Sequence, residues 1–223
     1  MANANALIEE LKAELSPVEH EIRTHRYLGE LEAGRVPREK LRLFAGEQYH
    51  IIRSDLRSVA LLVNRFGATA SGSFFQGVLV GEGAALEALG ALALAVEMNE
   101  TRLQAYEPTA GAQAYPAFMA WLALYGSDAE VAAGYLVNFA AWGASCGRMS
   151  QALRSVYGLT PEQTRFFDLF AAPPGEFEPG ALAVVEGGLA RGADPRLIKR
   201  AARLLQSYEK LYWDTIHEMS RGR

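Results

Sequence analysis

Within residues 44–55, FAGEQYHIIRSD, two carboxylates, an amide and an imidazole interrupt what otherwise reads as the apolar face of a helix. Carboxyl groups in such a setting suit proton transfer, because burial raises their pKa towards neutrality. An amide supplies fixed hydrogen bonds, and a Glu-x-x-His spacing sets two metal ligands on neighbouring turns. Which chemistry applies depends on which side chains point inward. A helix turns about 100° per residue, and Leu41, Phe44, Ile52, Val59, Leu62 and Phe66 mark one stripe. Gln48 and Asp55 fall inside it, Glu47 lies on its flank beside Ile51, and His50 points to the opposite side.

Two other helices carry similar interruptions. The stretch VAAGYLVNFAAWGASCG, residues 131–147, is apolar nearly all round, which marks the most buried helix, and Asn138 is its most conspicuous polar residue. In the last helix Leu197, Ala201, Leu204, Tyr208, Tyr212 and Met219 define the expected buried face. Glu209 lies on its edge, whereas Asp214 and His217 turn away. Burying an unpartnered amide or carboxylate costs about 1–3 kcal/mol. Gln48, Asp55 and Asn138 therefore need partners, water or a ligand, and they either tie helices together or surround one cavity. Tyr49, Tyr135, Phe139, Trp142, Tyr208, Tyr212 and Trp213 lie on the same helices. Such aromatics fill a core or line the walls of a pocket for a flat ring. If they surround a cavity, Gln48, Asp55 and Asn138 supply its hydrogen bonds, Tyr49, Trp142, Tyr208 and Tyr212 its walls, and Glu209 is the candidate for proton transfer.

Other chemistries fit less well. Glu47-x-x-His50 and Asp214-x-x-His217 are spaced like the ligands of four-helix di-iron proteins, and Glu97 and Glu100 are nominal further carboxylates. The helical wheel turns His50, Asp214 and His217 outward, so no metal site is expected. Four His and one Cys show no zinc spacing. GEGAALEALG follows no strand and is not a phosphate loop, and no G-x-S-x-G elbow occurs. A net charge of −4 gives no reason to expect nucleic acid as partner. Arg196, Lys199, Arg200 and Arg203 recur at helical spacing as a solvated face. Cys146 is alone, which excludes an internal disulfide and suits a reducing compartment; the N-terminus lacks the pattern of a signal peptide, and a cytoplasmic location is expected. The uncharged 131–147 stretch is slightly short of a membrane span, so no membrane partner is expected either.

A chain of 223 residues suits one domain spanning 1–223. Its helix signals are plentiful. Ser16, Pro17 and Glu19 read as a helix start, with Gly34 as its end. Pro37 and Glu39 open a second helix that stops at Gly67. Ser127 with Glu130 opens another, closed at Gly158; Thr160, Pro161 and Gln163 open the next; Asp194 and Pro195 start the last. Further helices are expected from Phe74 into the 90s, from Pro116 to Tyr125 and, after an irregular segment at 171–180, as a short one to Arg191. No stretch alternates as a half-buried strand does. The fold class is therefore all-α, a bundle of about seven or eight helices.

The segment HRYLGELEAGRVPREKLRLFAGEQYHII, from His25, resembles the H-P-F-x5-G-x-L-P…F-x-x-Y-x-x-Q-D-x-x-Y pattern of the TenA family, the thiaminase II proteins. His25, Gly34, Val36, Pro37, Leu41 and Phe44 fall in register, and YEKLYWDTI from Tyr208 is similar to that family's E-x-x-F-W. The resemblance implies the haem-oxygenase-like fold, shared with the pyrroloquinoline-quinone synthase PqqC and the CADD group, and a homodimer or homotetramer. It puts the family's pyrimidine-binding Asp at Gln48, its nucleophilic Cys near Asn138 and its catalytic Glu at Glu209. Covalent hydrolysis needs an ionisable nucleophile, which neither Gln nor Asn supplies. The CADD di-iron pattern would use Glu47, but it meets Ser54, Phe170, Pro174 and Phe177 where other ligands belong. Haem oxygenase's proximal His would have to be His20 or His25. The resulting expectation is a protein that binds a small aromatic or heterocyclic ligand, with acid–base or cofactor-independent redox chemistry and no identified cofactor. The alternatives are a non-catalytic binding or regulatory protein of the same fold, and a CADD-like di-iron oxidase.

Overall fold

The computed structural model describes residues 3–222, and among them the chain forms ten α-helices and no strand. Eight are long: α1 (Ala4–Arg23), α3 (Leu41–Phe66), α4 (Gly72–Ala95), α6 (Ala110–Tyr125), α7 (Asp128–Ser155), α8 (Pro161–Ala171), α9 (Phe177–Ala190) and α10 (Pro195–Arg221). Two are short, α2 (Arg26–Glu32) and α5 (Glu100–Gln104).

Local capping chemistry sets most of the boundaries. Ser127 with Glu130 and Thr160 with Gln163 each form a reciprocal capping box, satisfying N–H groups that a helix start leaves without partners. Asp194 and Thr109 cap α10 and α6 through their side-chain oxygens. The cap at Thr109 starts α6 six residues earlier than the Pro116 start read from the sequence. The Ser16–Pro17 signal is overridden altogether. Pro17 lies inside α1, whose cap is Asn3, because the buried row Leu7, Ile8, Leu11, Leu15 and Ile22 continues on both sides of it. The chain then breaks at Thr24, and α2 ends before Gly34, which adopts a φ of +67°.

Helix α7 runs through the middle of the bundle, packed by α10, α8 and α9, with α1 and α2 at its sides. Nearly its entire first half is buried, as its uniform apolarity implied. Helices α3, α4 and α6 complete the bundle, α3 lying against both α4 and α6. Gly143 lets α8 close onto α7, since a Cβ there would stand 2.6 Å from the Phe170 carbonyl oxygen. Of the described helices it is α4, rather than the 131–147 stretch, that is long and apolar enough to cross a membrane by length and composition; here it packs on α3 and α8.

Two expected faces are corrected. Glu47 is fully buried rather than flanking: its Oε1 accepts hydrogen bonds from the Tyr106 hydroxyl (3.1 Å) and the Thr109 amide (3.0 Å). Helix α10 is rotated relative to the expected wheel, so that Ile198, Leu205, Gln206, Glu209, Trp213 and Ile216 are buried. Leu197 is exposed, while Leu204, Tyr208 and Met219 are only half-buried. The wheel was misplaced because leucines and tyrosines lie on both sides of α10, and their side chains also cover surface.

Candidate ligand pocket

The buried polar groups converge. Helix α3 contributes Gln48, Ile51, Ile52 and Asp55, α4 Glu82, α6 Tyr115, α7 Asn138, Phe139 and Trp142, α8 Phe170, and α10 Glu209 and Tyr212; together they line one cavity of about 50 Å³. Gln48, Asp55, Asn138, Trp142, Glu209 and Tyr212 are thus brought together from the expected set. Tyr49 and Tyr208, expected in the walls, do not line the cavity. Tyr49 accepts from the Arg53 guanidinium, and the Tyr208 ring packs on Phe118 at a centroid distance of 5.3 Å. Glu82, Tyr115, Phe139 and Phe170 complete the lining and were not assigned to the site from the sequence.

Glu209 is held from two sides. Its Oε1 accepts from the Trp213 indole N–H at 3.2 Å and its Oε2 from the Asn138 amide, whose oxygen in turn faces the Tyr115 hydroxyl at 3.4 Å. Burial pushes the carboxyl up to about 8; the Trp213 and Asn138 donors pull the other way, and the Glu19 charge adds to the rise. Glu82 is raised to about 7 by burial alone. Asp55 is held well above the usual carboxylate range by burial and then by the charge of Glu82, and its Oδ1 has no hydrogen-bond partner. A polar pocket in which carboxyls hold protons near neutral pH can donate to a ligand as well as accept from it.

Outside this cavity a larger groove of about 690 Å³ runs between α4 and the α8–α9 region. Gly77, Gly81, Ala84, Gly180, Ala183 and Phe177 are among the residues that form its walls. Glu82, Phe139 and Phe170 line both spaces, so the groove reaches the cavity at those side chains.

The histidines have other work. His25 Nδ1 accepts from the Tyr27 amide, capping α2, and its Nε2 meets Asp214 Oδ1 at 3.2 Å. His217 pairs with Glu30, and His50 Nε2 lies 3.2 Å from the Leu103 carbonyl. Among the described residues no group of three or more His, Cys, Asp or Glu is arranged to hold a metal ion. Ser54, Phe170, Pro174 and Phe177 cannot ligate iron in the CADD pattern. Haem does not fit either, because His20 is exposed, His25 is committed to the α2–α10 contact, and no His lines the cavity. Cys146 is buried outside the cavity lining, and burial pushes its thiol well up.

The bundle, with its buried acidic and aromatic pocket, has the haem-oxygenase-like fold of the solved structures it is similar to. The chain belongs to the TENA/THI-4/PQQC family, whose model matches residues 12–167. Among solved structures it is similar to a TenA homologue from P. horikoshii, with 15% identity and a TM-score of 0.76 over 96% of this chain and 99% of that one. A TenA family transcription regulator from Silicibacter sp. is similar at 15% identity and TM-score 0.74, covering 97% of each chain. A domain of unknown function with a heme oxygenase-like fold from Shewanella denitrificans is similar at 13% identity and TM-score 0.74, covering 96% of this chain and 95% of that one. Comparison with curated proteins gives no match.

Proposed function

We propose that this chain binds a small organic ligand, an aromatic or heterocyclic ring or a comparable polar head, at the inner cavity and exchanges a proton with it through Glu209. The single observation that carries this reading is a buried carboxyl, 3% exposed, held by Trp213 and Asn138 and aimed into an aromatic-walled cavity. Its pKa of about 8 leaves it largely protonated at neutral pH, so it begins as an acid and can return as a base. A cavity of about 50 Å³ takes only part of such a ligand, so binding requires Phe139 and Phe170 to shift towards the groove. Trp142 and Tyr212 supply flat walls, and Gln48 and Asp55 further polar contacts.

Covalent hydrolysis is disfavoured. Asn138 occupies the place near which the resemblance puts a nucleophilic Cys, and Cys146 neither reaches the cavity nor ionises readily. A second reading, binding without turnover, is favoured by the Asn138 bond that engages Glu209. Glu209→Gln separates the two: a catalyst keeps ligand affinity within a few-fold and loses turnover, whereas a binder changes neither turnover, which it lacks, nor affinity by much. Amino-pyrimidine hydrolysis abolished in Glu209→Ala would overturn the assignment of non-covalent chemistry. A homo-oligomer and a cytoplasmic location belong to the same proposal; light scattering in solution and fractionation of cells test them.

A further inference from the structure

We infer that Asp55 and Glu82, where the cavity meets the groove, form a receptor for the ammonium group of an amphipathic amine whose apolar remainder lies along the groove. This rests on the ligand-pocket reading above and names its ligand class. Asp55 on α3 and Glu82 on α4 face the same space, with exposures of only 6% and 8%. Glu209 faces it from α10, and no Lys, Arg or His lines it. The buried Oδ1 of Asp55 lacks any hydrogen-bond partner. A carboxylate out of water without a counter-charge is unfavourable, so burial keeps these acids protonated until a cation arrives to take the place of the protons. The other titratable groups facing the pair are Tyr115 from α6, Tyr135 from α7 and Glu209 from α10.

Size and wall chemistry point the same way. The cavity of about 50 Å³ admits an ammonium-sized head as it stands, whereas a ring enters only once Phe139 and Phe170 have shifted. The groove of about 690 Å³ is in the range of ordinary ligand sites and is walled by Phe74, Val78, Ala84, Phe177, Ala183 and Val184. Phe139 and Phe170, at the junction, are aromatic rings, a residue type that attracts a cation. The groove's Arg191 is paired with Asp128, so a carboxylate-headed chain would meet three acids and no available counter-charge in the cavity.

Titration calorimetry of the full chain with n-octylamine, n-octanol and n-octanoate tests this. Octylamine is expected to bind at least about tenfold more tightly than octanol, with octanoate weakest, and to release protons at pH 7, seen as a heat that varies with the buffer's ionisation enthalpy. The double variant Asp55→Asn/Glu82→Gln should lose at least about tenfold of the octylamine affinity and keep that for octanol. Should the double variant lose octanol as well, Glu82→Gln alone must show the selective loss. Gly81→Leu, which projects into open groove space, should weaken both ligands. Octanol or octanoate binding as tightly as octylamine, or octylamine binding unchanged in the double variant, overturns the ammonium receptor and leaves the pocket standing. No binding of any of the three also overturns the ammonium receptor, and the ligand-pocket reading then falls only if aromatic heterocycles fail to bind as well.

Discussion

Replacing Glu209 with Gln should flatten the dependence of the protein's stability on pH. The folded-state pKa lies near 8, against 4.5 for the ordinary carboxyl, so between those values the native state holds a proton that the unfolded chain has released. Stability from this group is therefore full below about 4.5, falls as pH rises, and reaches its lowest level above about 8. Converted at about 1.4 kcal/mol per pH unit, the interval corresponds to a loss on the order of 4–5 kcal/mol. Gln cannot ionise and escapes that loss. It also has one acceptor for two donors, Trp213 and Asn138, which costs about 1 kcal/mol at every pH. Urea unfolding at pH 5.5, 6.5, 7.5 and 8.5 is the assay. The variant should be about as stable as the parent protein at pH 5.5 and stronger by about 3–4 kcal/mol at pH 8.5, its curve flatter by up to about 1.4 kcal/mol per pH unit. Asp55 and Glu82 titrate in the same direction in both proteins and leave a residual slope. Parallel curves for the two proteins would refute the assignment of a protonated Glu209.

Other perturbations should act as follows. Gly143→Val places a branched side chain against the Phe170 carbonyl oxygen, 2.6 Å from even a Cβ, and should destabilise by about 1–3 kcal/mol, read as a lower Tm. Trp213→Phe removes the indole donor that stabilises the Glu209 carboxylate, so the pH-dependent loss of stability should extend further above pH 8, measured by the same urea series. Ser127→Ala breaks the α7 capping box and should cost about 1 kcal/mol in chemical unfolding. Cys146 should be inert to a thiol reagent such as DTNB in the native protein and react at once after denaturation.

Ser127–Glu130, Thr160–Gln163 and Asp194–Pro195 were legible as helix starts because a cap is satisfied within one turn and needs no tertiary partner. Ser16–Pro17 carried the same local signal, but the apolar row of α1 ran through it, and packing outweighed the lost hydrogen bond. Gln48, Asp55 and Asn138 could be assigned inward because each breaks an otherwise apolar face on a long helix. Glu47 could not, since its partners Tyr106 and Thr109 come from a segment about 60 residues away. Glu82 had a usable signal: Phe75, Val78, Glu82, Ala85 and Leu89 share one helical row, all buried. Its neighbours Gly81 and Gly83 and the even apolarity of α4 hid that row, and which face met α3 was settled only by the fold. Tyr49 and Tyr208 were misplaced for the converse reason, because aromatic spacing alone does not separate a pocket wall from a packing contact.

The inner cavity is expected to receive a ligand against Glu209. A crystal structure of the protein soaked with small amines and aromatic heterocycles addresses it directly. The expected result is density between Trp142 and Phe170, with a polar ligand atom at hydrogen-bonding distance from Glu209, Asn138 or Asp55 and with Phe139 and Phe170 displaced towards the groove. Compounds bound only on the outer surface, with the cavity side chains unmoved at saturating concentrations, would contradict it.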